Sequence, residues 1–218
     1  MIFRYAIATG RCERDPVSDL RGAFTSPTRY NYAALGQKDL PDFFTKLAEY
    51  NGEPTTKLAI RLLALTFVRT GELRGAQWSE FDLDAGEWRI PAERMKMRAP
   101  HIVPLSRQAI ELLRELHQHT GSGALLFPSR SKATQPMSEN TIIYAIYRMG
   151  YHSRATGHGF RATASTILNE LGFHGDVIER QLAHTSRNKV RAAYNKAQYL
   201  PKLTTLMHHW ADLPDALA

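Results

Sequence analysis

Gly157-His158-Gly159-Phe160-Arg161 opens a stretch that runs on through Gln181-Leu182-Ala183-His184 and closes at Ala193-Tyr194. His158 and Arg161 are three positions apart, so a helix sets them side by side on one face. Phe160, Ala164, Ile167, Leu168 and Leu171 form an apolar stripe on that helix, with His158 and Arg161 on its flank at the rim of a core. A guanidinium there is held firmly and still reaches a ligand. Gly172-Phe173 reads as a helix stop, a glycine followed by an apolar contact. Asp176 to Ala183 reads as a short helix leading into His184, and Tyr194 follows ten positions later (194 − 184). A histidine and arginine in this spacing recur by chance, and a tyrosine at a helix end is ordinarily packing. The reading therefore depends on what lies upstream.

Upstream, Thr56 to Val68 is apolar nearly all round, which predicts a helix central to the core, with Arg69 at its end. An arginine at the end of the most buried helix is either paired or functional. Pro41 to Tyr50 predicts a preceding helix. Phe81 and Leu83, then Trp88 and Ile90, alternate around the turn Asp84-Ala85-Gly86, which predicts a hairpin. With His101 to Leu105 this gives three short antiparallel strands at about residues 79–83, 87–90 and 101–104. The run Glu93-Arg94-Met95-Lys96-Met97-Arg98 between the second and third strands is basic, and by itself reads as a solvated turn. Ser106 is placed to cap a helix to about His119, and Ser138 another with Ile142, Ile143, Ile146 and Tyr147 inward. Leu203, Leu206, Met207 and Trp210 mark a last amphipathic helix. The fold class expected is mainly α with a small three-stranded antiparallel sheet.

Residues 1–9 predict a short helix ending at Gly10, and Arg11 to Gln37 has the composition of a linker. Residues 1–37 are therefore expected to be the tail of a missing domain plus a linker, and 38–218 the main domain. The alternative is an arm that packs on its own domain. A hydrophobic content of 43% is that of a globular chain. A net charge of +7 favours a polyanionic partner. Cys12 is the only cysteine, so neither an intramolecular disulfide nor a cysteine-rich zinc site can form. No apolar run approaches the roughly 20 residues of a membrane span. Together these lead to the expectation of a cytoplasmic protein with no membrane partner.

The chain thus offers, in order, Arg69, Lys96, His158 with Arg161, His184 and Tyr194. Transfer at a DNA phosphodiester without metal needs charge on the non-bridging oxygens, and two guanidinium forks supply it. It needs a nucleophile, and a tyrosine hydroxyl can form a covalent phosphoester. It needs help in ionising that tyrosine, from the arginine field or a histidine base. It needs an acid for the leaving 5′ oxygen, a role open to a lysine on a basic loop beside the phosphate.

These residues resemble the catalytic domain of a tyrosine recombinase, in the phage and genomic-island integrase branch. Thr66-Phe67-Val68-Arg69-Thr70-Gly71-Glu72-Leu73, followed by Trp78 and Asp82, is similar to the family's first box. Lys96, ahead of Val103-Pro104-Leu105, stands where the family keeps its hairpin lysine. His158-Gly159-Phe160-Arg161 resembles the HxxR box, and Leu182-Ala183-His184 with Tyr194 the final one. Phe67 and Ala183 stand where the family usually has glycine, and Ala162 where a histidine is frequent. The resemblance covers about residues 40 to 200.

It implies attack by Tyr194 to form a 3′-phosphotyrosyl link, release of a 5′-hydroxyl, and rejoining by a partner strand, with no metal or nucleotide cofactor. It implies integration or excision of a prophage or genomic island at double-stranded attachment sites, by a tetramer on DNA, with accessory DNA-bending proteins as further partners. Residues 1–9 would then be the last helix of a core-binding domain. Arg94, Arg98, Arg154 and Arg187 are the candidate DNA-binding residues. Three other readings compete: a type IB topoisomerase-like relaxing enzyme, a catalytically silent DNA-binding module, and a metal-dependent nuclease built on His152, His158 and His184. The last lacks a carboxylate cluster beside its histidines.

Overall fold

The computed structural model describes residues 2–20, 23, 33–184 and 200–217. The chain divides into two units, Met1–Asn31 and Tyr32–Ala218. In the first, helix α1 (Ile2–Ala8) ends at Gly10, which takes a positive φ of 70°. A short 3-10 turn follows at Ser18–Leu20.

The second unit is built around α3 (Pro54–Thr66). Its Ala59, Ile60, Leu62 and Leu63 are fully buried. Burial of each large aliphatic side chain is worth about 2 kcal/mol, which makes this helix the centre of the core. It packs against α5 (Arg107–Thr120), α6 (Asn140–Ile146) and the last described helix, here α9 (Leu200–Leu217). Leu203, Leu206, Met207 and Trp210 of α9 are all buried, as their spacing predicts. Trp210 also donates its indole N–H to the Ala64 carbonyl at 2.8 Å, so it serves the core without an unpaired polar group.

Helix α3 stops two residues short of the predicted Val68, because Phe67 turns left-handed (φ 37°, ψ 35°). Helix α2 (Leu40–Ala48) buries Leu40, Phe43 and Leu47. Leu35, within the expected linker, belongs to the core, and its carbonyl accepts from the Thr163 hydroxyl at 2.9 Å.

The sheet has the predicted order and sense: β1 (Phe81–Asp82), β2 (Glu87–Ile90) and β3 (His101–Pro104), all antiparallel. Strand β1 is shorter than expected, since Trp78–Glu80 is taken up by a 3-10 turn. Trp88 and Val103 face each other across β2 and β3 and are both fully buried. Ser106 caps α5 as predicted, accepting from the Ala109 N–H at 3.2 Å.

Candidate active site

Arg69 follows the left-handed turn at the end of α3 and caps a short helix, α4 (Thr70–Arg74). Glu72, in the first turn of α4, is only 5% exposed. Its carboxylate accepts from the Arg69 main-chain N–H at 2.8 Å and from Nη1 at 2.6 Å. The guanidinium is thereby aimed by a residue three positions on, and the sequence reading did not single that residue out. The available signal was the helix-start pattern itself, an acidic residue three places after the cap.

His158 and Arg161 meet this element from helix α7 (Gly159–Glu170). His158 is the cap residue and is exposed, whereas Arg161 is 4% exposed, deeper than the rim position expected for it. Two glycines permit the approach. A Cβ on Gly157 would sit 2.5 Å from the Thr70 methyl, and one on Gly159 would sit 2.0 Å from the Ala33 carbonyl oxygen. A side chain at either position would clash with these neighbours and displace the histidine turn.

Arg161 is anchored by two backbone carbonyls remote from each other in sequence. Nη1 donates to the Phe67 carbonyl at 2.8 Å and Nη2 to the Leu182 carbonyl at 2.6 Å. Burial, then the Arg69 charge, lowers its pKa to about 10, so it remains a cation at neutral pH. A guanidinium has five N–H donors, so two carbonyls leave capacity for a phosphate.

His184 ends the turn after helix α8 (Gly175–Gln181). Its Nδ1 lies 2.7 Å from a Glu179 carboxylate oxygen, and its Nε2 lies 3.4 Å from Arg161 Nη2. The pairing fits the tautomer with its proton on Nδ1, donated to Glu179. Burial lowers the pKa of His158, and the charges of Arg161, Arg69 and His184 push it the same way. The four predicted residues therefore face one another electrostatically, with His158 held neutral.

A second layer supports the arginines. Gln181 is buried, donates its side-chain amide to the Thr66 carbonyl at 3.2 Å, and presents its own carbonyl to His101 Nε2 at 3.1 Å. His101 is 3% exposed, and burial lowers its pKa to about 4. Neither residue carries a motif that a sequence reading could use, since each acts through a partner distant in the chain.

The remaining sequence candidates have different fates. Lys96 is exposed on the turn between β2 and β3, and so is Arg98. Arg94 does not lie on the open basic surface expected for a DNA contact. Its guanidinium turns inward to the Glu80 carboxylate and the Glu72 carbonyl, because a buried carboxylate beside the hairpin needs a cation. Arg154 lies over the Tyr151 ring at 5.0 Å and pairs with Asp39 at 3.3 Å. Tyr194 and Arg187 lie outside the described residues. Among the described residues, no group of three His, Cys, Asp or Glu side chains is placed to hold a metal ion, and His152 does not join His158 and His184 in one. No described helix is long and apolar enough to cross a membrane.

Residues 34–200 match the family model described as the phage integrase family. Over 230 aligned positions the chain is 44% identical to the integrase of Enterobacteria phage P4, covering 98% of this chain and 52% of that protein. It is 42% identical to the prophage integrase IntZ of Escherichia coli K12, covering 99% of this chain and 53% of that protein. The chain thus spans about half the length of the curated relatives it matches.

Among solved structures, a lambda integrase dimer bound to a COC′ core site superposes with a TM-score of 0.62 at 21% identity, over 84% of this chain and 68% of that one. The integrase of mycobacterium phage Brujita gives 0.64 at 17% identity, over 99% and 73%. These likenesses show the fold: the helical unit with its three-stranded sheet is that of a tyrosine recombinase catalytic domain. Given the match over residues 34–200 and the relatives that share four in ten residues along its length, the chain belongs to the phage integrase family of tyrosine recombinases.

Proposed function

We propose that the chain is the catalytic part of a site-specific DNA recombinase, which cuts and rejoins DNA through a 3′-phosphotyrosyl intermediate and so integrates or excises a prophage or genomic island. The observation that carries this reading is the meeting of Arg69, His158, Arg161 and His184, with both guanidinium groups braced by protein oxygens. Braced forks pay little reorganisation when charge develops on a phosphate's non-bridging oxygens.

In this reading the Tyr194 oxygen attacks the scissile phosphorus and the P–O5′ bond breaks. The phenolic proton passes to His158, whose neutral form suits a base, and the 5′ oxygen takes a proton from Lys96. His184, oriented by Glu179, lies against Arg161 Nη2 and helps hold that guanidinium on the transferring phosphoryl group. Rejoining is the same step reversed, with a 5′-hydroxyl as nucleophile. The relatives that match along the chain are integrases, which disfavours a topoisomerase-like relaxing enzyme.

The partners proposed are double-stranded attachment sites and further copies of the protein. Support comes from neighbours of the same fold described as a dimer on a core site and a tetramer on a Holliday junction. Residues 1–37 are proposed as the tail of a core-binding domain with its linker, the linker's end docking into the catalytic core through Leu35, and the cytoplasm as the site of action. The test is covalent trapping of the full-length protein on a nicked suicide substrate. Wild type is expected to form an adduct on Tyr194, and Tyr194→Phe to bind DNA equally well without forming one. No adduct with wild type would sink the activity, and an adduct with Tyr194→Phe would sink the choice of nucleophile.

A further inference from the structure

The turn that carries Lys96 stands on two inward-turned polar feet, one half-buried and one buried. On the entering side, Ala92–Arg94 form a 3-10 turn and the Arg94 guanidinium points inward, bound by the Glu80 carboxylate and donating to the Glu72 carbonyl. Glu80 is held in turn by the Trp88 indole N–H at 2.9 Å. Met95 follows, 5% exposed in the core. On the leaving side is His101, bonded to the Gln181 carbonyl at 3.1 Å. Between these feet, residues 96–100 are all exposed.

The points of attachment are what matter. Glu72, which receives Arg94 on its carbonyl, is the residue whose carboxylate aims Arg69. Gln181, which receives His101, is bonded to Thr66 and adjoins Leu182. Arg161 is anchored on the carbonyls of Leu182 and of Phe67, the residue after Thr66. Each foot of the turn is therefore tied to the support of a different arginine. An arginine in a surface turn can stay in water at no cost, whereas one drawn out of water must be paired to offset its desolvation. A histidine held neutral in the core carries a similar cost. Apolar residues at both feet would pack more cheaply but would leave the turn free to slide.

We propose that Arg94 and His101 are positioning residues that hang the Lys96 turn from the supports of Arg69 and Arg161, setting the lysine in register with the phosphate those arginines hold. The inference rests on Lys96 being the proton donor to the leaving 5′ oxygen, as proposed above. Neither residue touches the DNA in this role.

The experiment uses the full-length protein on two nicked substrates that differ in one atom, the bridging 5′ oxygen or a sulfur in its place. A 5′ thiolate leaves without a proton, so sulfur removes the need for a positioned acid while leaving every other demand unchanged. Arg94→Met and His101→Leu are expected to slow cleavage of the oxygen substrate roughly tenfold to a hundredfold, the scale of a misplaced catalytic group. Both should cleave the sulfur substrate at close to the wild-type rate.

Equal slowing on both substrates would mean a merely structural role and would overturn the proposal, as would no slowing on either. Lys96→Ala is the reference. If sulfur fails to rescue it, the assignment of Lys96 as the acid falls, whatever the other two variants do. Should Arg94→Met fail to fold, Glu80→Gln loosens the same anchor without a change of shape and carries the same expectation. Should His101→Leu fail, His101→Asn, with a shorter reach towards Gln181, takes its place.

Discussion

Phe67 delivers its carbonyl oxygen to the Arg161 guanidinium at 2.8 Å from a left-handed backbone, at φ 37°. Ala183, directly after the second carbonyl that holds Arg161, is left-handed too, at φ 49°. The family usually has glycine at both positions, and the conformation supplies the physical reason. Ala183 occupies the helix stop that Gly172 occupies after α7: the residue's N–H returns to the carbonyl three back, and the next N–H to the carbonyl five before it. Ala183→Gly is therefore expected to stabilise the protein by about 1 kcal/mol in urea unfolding. Phe67→Gly relieves similar strain but deletes a fully buried ring packed on Trp210 at 5.8 Å. Deleting such a ring costs roughly 3–5 kcal/mol, so that variant should be less stable by a few kcal/mol. A destabilised Ala183→Gly would show that the turn does not store the strain assigned to it.

Glu72→Gln keeps the shape and one acceptor oxygen but removes the charge that fixes Arg69. The Arg69–Glu72 pair is partly shielded, with the carboxylate 5% and the arginine side chain 24% exposed. Cleavage should fall roughly tenfold to a hundredfold, because an aimed fork is worth more than a mobile one. The melting temperature should fall by only a few degrees. Single-turnover cleavage and thermal unfolding on the same preparation check both, and a full-rate variant would deny Glu72 its part in orienting Arg69.

How much of this was legible in the sequence follows from the range over which each feature acts. The stripe on α9, the Ser106 cap and the alternation in β2 and β3 are local patterns, and the structure keeps them. Arg69, His158, Arg161 and His184 came from boxes whose order is fixed along the chain. The supports did not, because their partners are remote: His101 meets Gln181 across 80 positions and Arg161 meets Phe67 across 94. Arg94, in a basic run with its charged neighbours, reads as a candidate DNA contact. Composition cannot show that Glu80, 14 positions earlier, waits as its buried partner. Leu35 was hidden because it lies in a stretch with no sustained apolar period.

His101 makes stability depend on pH. Its folded pKa of about 4 lies below the ordinary 6.5, because burial and the nearby Arg180 and Arg161 charges disfavour the imidazolium. The unfolded chain takes up this proton as pH falls below 6.5 while the folded one does not. The contribution is thus fully present above 6.5 and is lost as pH falls towards 4. The full loss amounts to roughly 3 kcal/mol. Urea unfolding of wild type and His101→Leu at pH 7 and pH 4.5 isolates it, since other titrating groups are common to both. The gap between the two proteins should narrow or reverse at the lower pH, and a constant gap would mean that the buried imidazole is not neutral.

Arg94 and Arg98, four positions apart on one basic turn, should behave oppositely in DNA binding. Arg98 is exposed, on a left-handed backbone at φ 50°. Arg94 is committed to Glu80 and the Glu72 carbonyl. A phosphate contact shows itself in the salt dependence of affinity, where each one lost reduces the slope of log K against log salt by about 1. Arg98→Gln should lower that slope by about one contact and leave the melting temperature unchanged. Arg94→Gln should leave the slope unchanged and lower the melting temperature, since it strands the buried Glu80 carboxylate with the Trp88 indole as its donor. Filter binding or fluorescence anisotropy across a salt series, with thermal unfolding alongside, separates the two. A reduced slope for Arg94→Gln would place that guanidinium on DNA in the complex and require the Glu80 pairing to open when DNA binds.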